Sequence, residues 1–193
     1  MYKVITIPNP KLRLKSRPVT TITKSIIAMA RELDDTLRHA TNPTGVGLSA
    51  IQVGKAKRLF VTYMPSDQSL PMTRWYPNNM HVEYFIDPVI ENKSKEVTLG
   101  GIKDKPFLEG CLSMPGLYGP VWRHQSLEIR YLGLSPSFEP IAKTLHFANI
   151  QARVIQHEYD HLEGILFTDH SLADGLPVYE EQGEEMIEVK IAV

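Results

Sequence analysis

The sequence predicts an α+β fold: mixed, largely antiparallel strands packed around a helix in the C-terminal half, with a second helix near the N-terminus. Three features carry this expectation. An apolar stripe at helical spacing lies near the start, segments rich in β-branched and aromatic residues fill the middle, and another helical pattern follows them. Helices at either end with strands between argue against alternating βαβ units.

The first helix is "KSIIAMARELDDTLRHA" (Lys24–Ala40), where Ile26, Ile27, Ala30, Leu33 and Leu37 share a face with charges opposite. Asn42-Pro43 then closes it and opens a glycine-bearing turn. Strands are expected at Arg58–Met64, His81–Glu91, Ser126–Leu134 and Ala142–Phe147. Two polar arms, at about residues 64–80 and 93–108, are too rich in Pro, Gly and Asn for regular elements. The second helix runs from about Asn149 to Glu163, with Asn149 as N-cap and Gly164 as the glycine that ends it. Met186–Val193 alternates weakly and reads as a last strand within an acidic tail, 180–193. At 193 residues the chain suits one catalytic domain spanning 1–193.

Composition excludes several classes of function. The apolar share of 42% and charged share of 22% are those of an ordinary globular protein, and a net charge of −1 gives the whole molecule no strong claim on nucleic acid. No apolar run reaches the ~18 residues that cross a bilayer, so no membrane partner is expected. One cysteine, Cys111, rules out an internal disulfide and fits a reducing compartment. Residues 1–31 carry seven Lys or Arg and no acid, whereas 180–193 carry five Glu against one Lys. An organelle transit peptide is also basic, but Pro8, Pro10 and Pro18 oppose the amphipathic helix such peptides form. A cytoplasmic protein is the expectation, and an organellar one is less favoured.

"QHEYDHLEG" (Gln156–Gly164) carries the chemistry. On a helix His157 and His161 lie about 40° apart, so both rings can grip one ion, and Glu158 stands about 60° from His161, beside the ion without occupying it. A polar helix with two chance histidines is the bland alternative. Ile150 and Val154 weaken it, because they extend the histidine face backwards as an apolar stripe, and a buried imidazole without a partner is costly. A third ligand is needed. Cys111 in "EGCLSMPG" (Glu109–Gly116) is the better candidate than the scattered His39, His81, His124, His146 and His170. A small buried hydrophobe and a nucleophilic thiol with a histidine base remain its other readings. "TGVGLSAIQVG" (Thr44–Gly54) formally matches a dinucleotide fingerprint, but it follows a helix rather than a strand. It reads better as a flexible, close-packing turn presenting Gln52 as a neutral hydrogen-bond donor.

In this order, "GVGLSAIQ", "EGCLSMPG" and "QHEYDHLEG" resemble the three signature segments of the peptide deformylases, and the 46 residues from Cys111 to His157 resemble the family's separation. The N-terminal "IPNPKLRLKSRPV" and "ARVIQHE" are also similar to the family's sequences. The resemblance implies Cys111, His157 and His161 as metal ligands and Glu158 as general acid/base. It implies Gln52 and the backbone N–H of Leu112 as donors to the formyl oxygen. Gly47 and Gly110 would bind the substrate's extended backbone, and Val46, Ile150 and Val154 would line the methionine pocket. The implied cofactor is one Fe²⁺, replaceable by Zn²⁺, Ni²⁺ or Co²⁺. The implied reaction removes the formyl group from N-formylmethionyl nascent peptides and releases formate, with water on the metal attacking the formyl carbon. An HExxH metallopeptidase and a catalytically silent, deformylase-like peptide-binding protein are the alternatives. Ser49 stands where most members have a small apolar residue, and little effect is expected of it. The acidic tail does not suit docking on ribosomal RNA; a weak, transient ribosome contact would use the basic first 31 residues.

Overall fold

The computed structural model describes residues 1–40, 44–102 and 105–191. In chain order the elements are α1 (Lys24–Arg38), β1 (Gly47–Ser49), β2 (Leu59–Pro65), β3 (Met80–Lys93), β4 (Val97–Thr98), β5 (Leu108–Cys111), β6 (Met114–Pro120), β7 (Arg123–His124), β8 (Ser126–Leu134) and β9 (Pro140–Ala148). They are followed by α2 (Asn149–Glu163), α3 (Phe167–Ala173), β10 (Val178–Gln182) and β11 (Glu185–Val189).

Strand alternation builds two cores from one sheet, whose order is β1-β2-β3-β8-β9. Along β2, Leu59 and Val61 face one way and Phe60 and Met64 the other. The first face takes the α1 stripe of Ile26, Ala30, Leu33 and Leu37. The second takes Ala152, Val154, Ile155 and Leu162 from α2, together with Phe85, Ile129 and Phe147. Ile27 is only half-buried, at the edge of the stripe. Thr23 caps α1 by accepting from Ile26 N, and the Asn42-Pro43 stop lies outside the described residues. A bulge at Asp87-Pro88, with Asp87 at φ 49°, lets β3 continue through a proline, because the ladder to β8 is interrupted there.

A second sheet, β11-β10-β6-β5, stands beside the first, and β4 pairs with β7. Every ladder between named strands is antiparallel; the parallel contact is an isolated bridge between Arg17 and Lys57. The acidic tail forms the β10–β11 hairpin, of which 192–193 lie outside the described residues. The polar arms are not wholly irregular: the first contains a 3-10 turn at Met72–Arg74 and the second contains β4. Among the described residues no helix is long and apolar enough to cross a membrane.

Asn149 corrects the N-cap expectation. It takes φ 56°, its side chain makes no cap bond, and its Oδ1 accepts from Gln125 Nε2 at 2.8 Å instead. Asn tolerates the left-handed region, so it serves the turn into α2 through its backbone. Gly164 ends α2 at φ 76°, with Ile165 N donating back to Asp160 O at 3.0 Å.

Candidate metal centre and substrate cleft

α2 presents its histidines toward β5, and the two elements meet at Cys111. The thiol and the His157 and His161 rings offer ligand atoms that all lie within 4.8 Å of one another. His161 Nε2 stands 3.3 Å from Cys111 Sγ. The two rings are 5.0 Å apart and nearly perpendicular, so they converge on one point instead of stacking. His157 Nδ1 is engaged by Glu109 Oε2 at 3.0 Å, which leaves Nε2 for a ligand. Glu109 is itself gripped by the Arg123 fork (Nε and Nη2, both 2.9 Å) and by Arg153 Nη1 at 2.8 Å. Arg123 also pairs with Asp160 on α2. This buried network fixes β5, α2 and β7 against one another, and sequence reasoning passed over Glu109 although it stands two residues before Cys111.

Charge in the centre is tuned for a cation. Burial alone would push the Cys111 thiol up; His161 and the hydrogen bonds from both imidazoles outweigh it and bring it down to about 5. Burial opposes protonation of His157, yet Cys111 and Glu109 raise it well above 6.5. Burial would also raise Glu109, but Arg123 and then His157 hold it well below the usual carboxylate range. A thiolate and two imidazoles are a donor set that fits a borderline divalent ion such as Zn²⁺ or Fe²⁺.

Glu158 lines the same cleft as His157 and is only 3% exposed. Burial raises its carboxyl pKa, against the pull of His161, His157 and the Ser49 hydroxyl. Ser49 Oγ is 2.8 Å from Glu158 Oε2, so the residue expected to matter little touches this carboxylate. Gly47 makes the space: a Cβ there would stand 2.4 Å from Glu158 Oε1. The segment from Thr44 to Gly54 is thus not a flexible turn. It forms β1 and a 3-10 turn at Ala50–Val53, both fully buried. Gln52 Oε1 accepts from Ser49 N at 2.7 Å, which turns Nε2 toward Cys111 Sγ (3.5 Å) and Ser113 Oγ (3.2 Å).

A cleft of about 270 Å³ opens onto this centre. Val46, Gly47, Gln52, Gly110, Cys111, Leu112, Ile150, Val154, His157 and Glu158 all line it, whereas His161, 1% exposed, sits behind Cys111. Gly110 lies against the Tyr118 ring, 2.8 Å from where a Cβ would stand. Met72 and Phe107 come into the wall from the two polar arms, with Leu117 and Tyr118 from β6. Those four were missed because their place in the wall depends on chain segments far apart in sequence.

A buried thiol–imidazole centre, an adjacent carboxylic acid and an apolar cleft define a metal-dependent hydrolase with an HExxH helix. Comparison with known proteins narrows the class. The sequence profile of the polypeptide deformylase family matches residues 1–174, and the chain belongs to that family. Its hydrolases remove the formyl group from nascent polypeptides. The peptide deformylase of Rickettsia akari is 35% identical, over 86% of this chain and 85% of that one. The peptide deformylase of Ehrlichia chaffeensis in complex with actinonin superposes with TM-score 0.71 at 28% identity, covering 88% of each chain. The Met-Ala-Ser-bound enzyme of Acinetobacter baumannii gives TM-score 0.68 at 29% identity, over 88% of this chain and 98% of that one.

Proposed function

We propose that this chain, as one catalytic domain, hydrolyses the formyl group from N-formylmethionyl nascent peptides with Fe²⁺ held by Cys111, His157 and His161. The convergence of these three donors at a cleft lined by Glu158 and Gln52 carries the reading. Zn²⁺, Ni²⁺ or Co²⁺ would suit the same donors. Held by these donors, such an ion would supply the Lewis acidity that makes water a nucleophile near neutral pH.

The chain's own groups do the rest. Glu158 accepts the proton of the attacking water and delivers it to the leaving amine, helped by a carboxyl already raised by burial. Gln52 Nε2 and the Leu112 N–H hold the oxygen on which charge develops; losing one such donor typically costs ~10²–10³ in kcat. Gly47 and Gly110 line the cleft where an extended peptide backbone would lie, and Val46, Ile150 and Val154 form an apolar wall for the methionine side chain. Action on nascent chains belongs in the cytoplasm. A weak ribosome contact is assigned to Lys3, Lys11 and Arg17, for which no acidic partner occurs among the described residues. Lys57 bridges to Arg17, and Lys55 lies over Tyr2.

The deciding experiment is anaerobic purification with metal analysis, followed by a formate-release assay on formyl-Met-Ala-Ser. Iron in the protein, with activity lost in air and restored by ferrous ion, is the expected result. Absence of formate release from fully loaded protein refutes the proposal.

A further inference from the structure

The Glu158 carboxylate is buried, and only one side chain among the described residues hydrogen-bonds it: Ser49, whose Oγ is 2.8 Å from Oε2. Ser49 is itself fully buried, 109 residues away in sequence, on the strand that faces α2. Oγ also lies 2.9 Å from the Glu158 carbonyl oxygen. A hydroxyl has one proton for two acceptors, and the charged oxygen is the stronger claimant. The carbonyl is the alternative acceptor of the same proton, so whichever oxygen takes it, Ser49 Oγ is bonded to Glu158.

The other carboxylate oxygen lies against Gly47, where a Cβ would stand only 2.4 Å from it. The Ser49 backbone N–H meanwhile anchors Gln52 Oε1 at 2.7 Å. One short strand therefore holds both groups: its main chain orients the amide, its hydroxyl orients the carboxylate, and its glycine leaves the carboxylate space.

We infer that Ser49 is a positioning residue for the deformylation step, holding the Glu158 carboxylate in the orientation from which it exchanges protons. This rests on the role given to Glu158 above. Ser49 neither lines the cleft nor belongs to the three-donor set, so its removal is expected to act on kcat and leave KM and metal content unchanged. A hydrogen bond to a charged group is worth a factor of about 10–100.

The test is a double-mutant cycle on formate release from formyl-Met-Ala-Ser, with metal content and urea midpoint measured for each protein. Ser49→Ala is expected to lower kcat about 10–100-fold at unchanged KM. Glu158→Asp draws the carboxylate back by one methylene, out of reach of Oγ. In that background Ser49→Ala should change the residual kcat less than about twofold. Equal losses in both backgrounds, or a single variant within about twofold of wild type, overturn the inference. Crystal structures of wild type and Ser49→Ala, each loaded with Zn²⁺, decide it independently of turnover: the carboxylate should leave its wild-type rotamer, and an unmoved carboxylate refutes the positioning role. A wild-type protein that is loaded but releases no formate overturns the deformylase reading instead, and the two crystal structures then decide the role of Ser49.

Discussion

Gly47→Ala separates catalysis from stability at one atom. The added Cβ would stand 2.4 Å from Glu158 Oε1 and 2.7 Å from its Cδ and Cγ, where ordinary contact begins at 3.4 Å. The carboxylate must therefore retreat by 3.4 − 2.4 = 1.0 Å, and Ser49 on its other oxygen opposes a simple slide. A misplacement of ~1 Å costs ~10²-fold in rate, or about 2.7 kcal/mol of transition-state stabilisation. Stability suffers less. Overpacking costs about 1–3 kcal/mol, and replacing a strand glycine returns about 0.5–1 kcal/mol. Gly47 is not held in the left-handed region, so no backbone strain is added. The variant should stay folded, keep its metal and lose about a hundredfold in kcat at near-normal KM. Formate-release kinetics, metal analysis and urea unfolding measure the three quantities. A kcat within about fivefold of wild type, or a loss accounted for by missing metal, would refute the reasoning.

Four other outcomes are expected. Glu158→Ala should keep its metal while turnover disappears; activity within about tenfold of wild type removes the glutamate from its role. Glu109→Gln leaves Arg153 buried without an anion and Arg123 with Asp160 alone, and should cost about 3–5 kcal/mol in urea unfolding and about 10–100-fold in metal affinity. Because Glu109 is depressed in the folded state, its stabilisation is complete above the ordinary carboxylate pKa and is lost as pH falls through the depressed value, so the variant's stability should fall less steeply in acid. Metal binding should release protons. Between the Cys111 value of about 5 and the raised His157 value the thiol is already ionised and the His157 ring is not yet neutral, so chelator competition should show affinity rising at least about tenfold per pH unit; a flat profile contradicts the ligand set. Formyl-Leu peptides should be accepted within the ~1–3 kcal/mol of a methylene, and formyl-Asp peptides rejected, in kcat/KM comparisons; equal rates would contradict an apolar wall of Ile150 and Val154.

The parts of this protein that were legible in its sequence are those governed by local periodicity. α2 runs from Asn149 to Glu163 as expected, and β8 spans Ser126–Leu134 as its β-branched and aromatic residues indicated. β5, β6 and α3 were not legible. "LEGC" and "MPGLYGP" have the glycines and prolines of turns, and become strands because they pair with each other and with β10. α3 has seven residues, too few for intrinsic helicity, and is stable because Phe167 and Ser171 are buried.

The sequence by itself determined that two imidazoles share one helix face with an acid beside them, because helical geometry places residues four apart on the same side. Three signature segments in order then identified the family. Only the tertiary structure decided that Cys111 meets those imidazoles, that Glu109 locks one of them, and that Ser49 and Gly47 shape the seat of Glu158. These contacts join residues between 46 and 111 positions apart. They exist only after two sheets and α2 have packed, and no local rule of spacing reaches that far.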